Sequence, residues 1–268
     1  MPLCIIRMLN YFFLFLSLLF LISIWFYSLR RESIELIQVD YSNSFASLHD
    51  ILQENQPIIL KGCPVPPILS NAKLAEIPRL NSFPLSGQYT LEAYRTNPGS
   101  VLPAEQVHGL PIIEPIVART LANELSLDTW TGFTYTDFIT ELSGYFSVLK
   151  SFRTSVLLGG HGMVRPTSLY TCILVTQGSY IISLVNKRSE KFLPKEWQMR
   201  YPSSLSVNDT ALVGEIQFID IILRPGNMII IPCHIIYSAG VKSIDAFNSA
   251  LLIDMDSPIS QLATLIRS

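Results

Sequence analysis

Charge of either sign is scarce in this chain, and so are the side chains that most enzyme chemistry needs. Only 15% of the 268 residues are charged and the formal net charge is −2. Without a basic field there is nothing to gather phosphates, which argues against nucleic-acid binding. Four histidines, His49, His108, His161 and His234, are scattered along the chain. The four cysteines show no C-x-x-C or other metal-type spacing. Cys63, Cys172 and Cys233 read as buried free thiols, and Cys4 falls at a membrane edge where reversible acylation is chemically open. The chain has no Walker-type loop, no G-x-S-x-G elbow, no coiled-coil heptads and no internal repeat. No cofactor is expected from its motifs.

What the chain has in excess is apolar surface: 49% of residues are hydrophobic, and the mean hydropathy is +0.36. That balance points to a membrane segment joined to a globular part. Between Arg7 and Arg30 no residue is charged, and the run from Met8 through Leu9 to Leu29 would rise ~33 Å as a helix, enough to cross the hydrocarbon core of a bilayer. Tyr11 near one end, and Trp25 with Tyr27 near the other, match interfacial aromatic belts, and Arg30 with Arg31 would lie among headgroups. The end of the run, Trp25-Phe26-Tyr27, is unlike the small residues of a signal-peptide cleavage site, so an uncleaved single-pass anchor is expected. Arg7 and the α-amino group nearly balance Arg30 and Arg31, which leaves the orientation open. The division expected is an anchor over residues 1–31 and one domain over residues 32–268, the remainder being long enough for a sizeable core.

Downstream, alternation and turn chemistry predict mostly short strands. Ile34 to Val39 and Gln56 to Gly62 read as entry strands, with a helix over Phe45 to Gln53 capped by Ser44 and carrying His49. A turn of helix is expected near Ala72 to Ile77, a strand at Gln88 to Tyr94, a turn at Asn97-Pro98-Gly99 and a loop from Val101 to Ile113 that includes His108. Helices follow at Pro115 to Leu125 and, capped by Thr136, at Asp137 to Leu142. Tyr145 to Leu149 and Ser155 to Leu158 read as strands, and Gly159-Gly160-His161-Gly162 as a turn that leaves His161 solvated. Met163 to Val185 reads as a strand pair turning at Gln177-Gly178, and Asn186 to Gly214 as a long polar excursion containing the sequon Asn208-Asp209-Thr210. Glu215 to Leu223 alternates into a closing limb, Leu223 to Val241. There Pro225-Gly226 supplies a turn, Met228 to Ile231 a strand, Pro232 a break and Ile235 to Ala239 a second strand. Ala250 to Asp254 gives a last strand and Ser260 to Ile266 a short helix.

Four of these pieces, QPIILKG, YTDFITELSGYF, the strand pair of Met163 to Val185 and RPGNMIIIPCHIIYS, together resemble the cupin-like domains of the JmjC family. The likeness spans roughly residues 34 to 255 and is nearest to divergent cupin-like proteins of large DNA viruses and protists. It implies a mainly β fold with flanking helices, a double-stranded β-helix or jelly-roll. Active members of that family bind iron through a histidine, a carboxylate two residues on and a distal histidine. Carried onto this sequence, the first pair falls on Ser168 and Tyr170, expected on one strand face by the two-residue period. The distal histidine falls on Tyr237, and the co-substrate residue on Tyr180.

A serine hydroxyl and neutral phenols make a poor iron(II) set, because a phenol must first lose a proton whose pKa is near 10. His161 and His234 are the alternative polar residues for the cavity. The expectation is therefore a membrane-anchored, catalytically silent cupin-like module, with no metal, whose partners are the bilayer and other proteins of a membrane assembly. Two other readings stand beside it. One is an iron and 2-oxoglutarate oxygenase with atypical ligands. The other is a metal-free cupin that binds a sugar-type small molecule through Tyr170, Tyr180 and His234.

Overall fold

The computed structural model describes residues 2–28, 33–41, 50–52, 54–87, 89–101, 109–143 and 151–256, and on the first helix the side chains at 8–22 and 24. The helix expected over Phe45 to Gln53 (apart from 50–52), His49, His108, the strand at Tyr145 to Leu149, the helix at Ser260 to Ile266, and Arg30 with Arg31 lie outside the described residues. Trp25 is described in its backbone alone.

The apolar run folds as one helix, α1, over Pro2–Ser28, 27 residues long. Counted over described residues only, no helix is long and apolar enough to cross a membrane. The backbone of α1 runs unbroken from Pro2 to Ser28. Consecutive side chains from Tyr11 (73% exposed) through Phe12, Phe13, Leu14 and Phe15 to Leu16 (43%) stand clear of the protein. At 100° per residue, six in a row cover every side of the helix.

The rest of the chain is mainly β with flanking helices. Twelve strands are described: β1 Ile37–Asp40, β2 Ile58–Lys61, β3 Pro84–Ser86, β4 Tyr89–Thr90, β5 Ser151–Leu158, β6 His161–Val164, β7 Tyr170–Gln177, β8 Tyr180–Val185, β9 Phe218–Leu223, β10 Met228–Pro232, β11 Tyr237–Val241 and β12 Ser249–Asp256. One sheet has the order β1-β2-β10-β7-β12-β5 and the facing sheet β6-β11-β8-β9, with β3 and β4 a separate hairpin. From β5 onward the chain changes sheet in a regular way, and all neighbours among β5 to β12 are antiparallel. This order is compatible with a jelly-roll, whose two sheets enclose one apolar space.

The two-residue period divides the side chains into two cores. Ile59, Ile173, Val175, Ile182, Leu184, Ile221, Leu223, Ile229 and Ile231 meet between the sheets. Ile58, Leu60, Cys172, Leu174, Ile230, Leu251 and Ile253 turn the other way, toward the helices. Those helices are α2 Asn71–Ala75, α3 Leu91–Thr96, α4 Pro98–Val101, α5 Pro115–Glu124, α6 Leu127–Thr134 and α7 Thr136–Ser143. Tyr94 ties α3 to the sheet: its buried hydroxyl donates to the Asn248 carbonyl (2.8 Å) and accepts from the Gly159 and Asn248 amides (2.9 and 3.2 Å). The excursion 186–217 packs Leu193, Trp197 and Leu205 on the outer face of the second sheet. Asn208 is exposed there, in a turn.

The turn expected at Asn97-Pro98-Gly99 instead opens the short helix α4, and three further segments depart from their sequence pattern. The stretch read as a strand at Gln88 to Tyr94 is a two-residue strand followed by α3, because the Thr90 hydroxyl caps the Ala93 amide and Leu91 and Tyr94, three apart, share a buried helical face. Leu127–Thr134 forms a helix that its own residues do not favour, with Thr, Gly and Asp among eight. Packing holds it, with Leu127 fully buried and Trp130 edge-on to Tyr135. The limb after Pro232 re-enters the sheet at Tyr237 rather than Ile235, after a turn in which His234 takes φ +66°.

Candidate functional site at the mouth of the inter-sheet space

The space between the sheets has two ends. At one, which we call the mouth, β6, β8, β10 and β12 finish and β5, β7, β9 and β11 begin. Asp256 pairs there with Ser151, Pro232 with Tyr170, and Val164 with Tyr237. The other end, the base, carries the Gln177 to Tyr180 turn and the Val241 to Ser249 loop.

Tyr237 opens β11 at the mouth and points inward among Ile231, Ile235 and Leu184. His161 pairs with Ala239 one layer below, and the two rings meet edge to face at 5.3 Å. Contrary to the expectation of a solvated turn, His161 is 6% exposed and opens a strand. The flanking glycine serves close packing: a Cβ on Gly162 would come within 2.2 Å of the Met199 carbonyl carbon. Its Nδ1 lies 2.7 Å from the Gly162 carbonyl, an acceptor, so Nδ1 carries the proton. Burial lowers the imidazole pKa against a smaller opposing effect of that bond, which keeps the ring neutral at pH 7.

On the facing sheet the last strand brings a group that the sequence reading passed over. Ala250, Leu252 and Asp254 alternate inward, and Asp254 pairs in register with Thr171, whose hydroxyl donates to its carboxylate at 2.8 Å. Burial raises the Asp254 pKa above the ordinary carboxylate range. The Thr171 bond lowers it, nearby Asp256 adds to the rise, and Arg153 and Arg119 offset part of it. The buried Asp256 is paired with Arg153 at the rim. Burial first, and the Asp254 charge second, push the Tyr237 phenol far above its usual value. The signal that could have found it is the two-residue period of Ser249–Asp256, which puts Asp254 in phase with Ala250 and Leu252.

The residues matched to family ligands are not brought together. Ser168 is buried in a bend after β6, outside any strand, so it does not share a strand face with Tyr170. Tyr170 opens β7 at the mouth but belongs to the core under the helices, and burial pushes its phenol up to about 12. Tyr180 lies between the sheets at the base, where its hydroxyl donates to the Leu157 carbonyl at 3.3 Å. His234 is buried in the β10–β11 connection, its amide donating to the Pro166 carbonyl at 3.2 Å. Asp220 faces solvent.

Iron of the two-histidine, one-carboxylate kind needs three converging donors. Among the described residues no group of three histidine, cysteine, aspartate or glutamate side chains could hold a metal ion. Among the described residues His161 brings an inward imidazole and Asp254 an inward carboxylate, which Thr171 already bonds. With Tyr237 neutral beside them, these residues do not make up a two-histidine, one-carboxylate set.

No family model and no curated protein matches this chain. Among solved structures it is similar to a protein of Neisseria meningitidis at 12% identity and TM-score 0.24, over 40% of this chain and 74% of that one. It is also similar to Peruvianin-I, a cysteine peptidase from Thevetia peruviana latex, at 17% identity and TM-score 0.25, over 41% and 52%. A third is YcfD, a ribosomal oxygenase from Escherichia coli solved with cobalt and succinic acid, at 14% identity and TM-score 0.26, over 40% and 23%. This chain thus spans about three quarters, half and a quarter of their lengths. Likenesses this slight decide nothing about what the chain does.

Proposed function

We propose that this chain is a membrane-anchored, cupin-like module: residues 1–31 hold it in a bilayer, and residues 32–268 form a JmjC-type jelly-roll. That body acts as a structural or interaction domain of a membrane assembly, with no iron chemistry. What carries the anchor is the helix Pro2–Ser28, whose described apolar side chains are exposed on every side. At ~1.5–3 kcal/mol for each large apolar side chain taken out of water, Tyr11 to Leu16 alone represent on the order of 10 kcal/mol that only an apolar environment recovers. A helix apolar all round belongs in a membrane or a large core. What supports the silent body is the inward lining, which is mostly aliphatic, with Tyr237, Tyr180, His161, Thr171, Asp254 and, on the same phase of β5, Ser155 and Arg153 as its polar positions among the described residues.

A second reading, a metal-free small-molecule binder, is favoured by one observation, the partly accessible Asp254 carboxylate beside Thr171 and Tyr237. The test of the first is extraction of membranes from expressing cells at alkaline pH. The full chain should stay with the pellet, together with the supply of an untouched 2-oxoglutarate pool in a turnover assay. Release into the supernatant removes the anchor, and metal-dependent 2-oxoglutarate consumption removes the silent body.

A further inference from the structure

Resting on the anchored reading, we infer that the jelly-roll is held mouth-down. The partner of this surface is the headgroup layer of the bilayer that holds α1.

Gln56, 3% exposed, grips the segment that arrives from the anchor: its Oε1 accepts from the Glu35 amide at 2.9 Å and its Nε2 donates to the Ser33 carbonyl at 3.1 Å. The Ile37 amide then donates to the Pro57 carbonyl at 3.2 Å. Ile34 packs against the inter-sheet core. Ile37 is level with Ile58, and Ile58 with Ile230, two residues before Pro232 at the mouth. Glu35 is thus level with Pro232, and residues 33–34 run outward past the mouth at the β1 edge of the sheet.

Chain length then fixes orientation. Helix α1, at 1.5 Å per residue over 27 residues, is ~40 Å long, matching a bilayer with its headgroups and leaving Ser28 at headgroup level. From Ser28 to the gripped Ser33 are five Cα steps, at most ~18 Å. An eight-residue strand such as β12 spans ~24 Å from mouth to base. An inverted body would lift Ser33 by about that distance, beyond the reach of the leash. Exposed Arg188 and Lys191 follow the mouth end of β8, and exposed Glu35 and Glu215 occupy the same end. The signs balance, so the leash sets the contact and lipid charge does not. Whatever reaches Asp254 and Tyr237 through the mouth must then come from the interfacial layer.

The test is photo-cross-linking of the full chain in phosphatidylcholine vesicles carrying a trace of lipid with a photoactivatable headgroup, with adducts mapped by mass spectrometry. Adducts are expected on Thr167, Arg188 and Lys191, which are exposed at the mouth, several-fold above those on the base loops 224–227 and 243–247. Anionic lipid should not change the pattern. Gln56→Ala lengthens the leash to Ile37, nine steps or ~32 Å, and should lower mouth adducts while base adducts appear. Base adducts equal to or above mouth adducts, in vesicles that retain the protein at alkaline pH, overturn the orientation alone. Loss of the protein at alkaline pH overturns the anchor and the orientation together.

Discussion

Replacing Tyr94 by phenylalanine should cost stability out of proportion to the single oxygen removed. The ring stays, 5.3 Å from Phe247, so packing is unchanged and only hydrogen bonding is lost. That hydroxyl serves three backbone groups at the base of the sheets, the Asn248 carbonyl and the Gly159 and Asn248 amides. The Asn248 carbonyl keeps a second, longer bond from the Gly159 amide at 3.4 Å, so the Asn248 amide is the group left without a substitute. The stranded buried amide costs ~1–3 kcal/mol, and the two bonds whose partners still reach each other add ~1 kcal/mol together, giving ~2–4 kcal/mol in all. Urea unfolding of the full chain in mild detergent, followed by tryptophan fluorescence, measures it. A loss below ~1 kcal/mol would refute the claim that this phenol clamps α3 to the sheet.

Other outcomes follow from the same structure. Asp254 has a folded-state pKa above its unfolded value, so its contribution to stability is present below about pH 4 and is lost as pH rises through the folded pKa. Asp254→Asn, which keeps an acceptor for Thr171, should therefore gain on the wild type as pH rises from 4 to 7.5 in urea titrations. A variant that falls behind at pH 7 contradicts the assignment. Gly178 has φ +80° and would place a Cβ 2.1 Å from the Asn248 side-chain oxygen. Gly178→Ala should destabilise the fold by ~2 kcal/mol or more, and an unchanged urea midpoint would contradict the geometry. The buried thiols of Cys63, pushed up to about 12, and Cys172, higher still, should resist thiol reagents at pH 8 until denaturant is added, as peptide mapping would register.

Much of the β architecture was legible because alternation and turn residues coincide. Phe218–Leu223 alternates as written, with Ile219, Ile221 and Leu223 inward, and Gly178 turns the Tyr170–Gln177 and Tyr180–Val185 pair. Pro115–Glu124 was legible from its helix formers. What escaped depends on distant partners. Leu127–Thr134 is helical against the sheet, where Asp128 accepts from the Thr154 amide at 3.0 Å, and Met199, 38 positions after His161, lies against Gly162 beside it. The candidate site was half legible. Tyr237, singled out only by matching its Pro-Gly and Ile-Pro turns to the resembled family, lies between the sheets, yet Tyr170 turns to the other core because the odd residues of β7, Ile173 and Val175 among them, face inward, and no local pattern announces which phase a strand takes. Asp254 went unremarked because an acid near the end of a strand reads as solvated until the facing sheet is known.

The central claim is that the space between the sheets carries hydroxyls, a lone imidazole and a raised-pKa acid where an oxygenase carries a metal. Elemental analysis of the full chain, purified in detergent from iron-supplemented cells, tests it most directly. The account predicts transition metal far below one equivalent and unchanged by His161→Ala. One equivalent of iron, lost on changing His161 or Asp254, would contradict it.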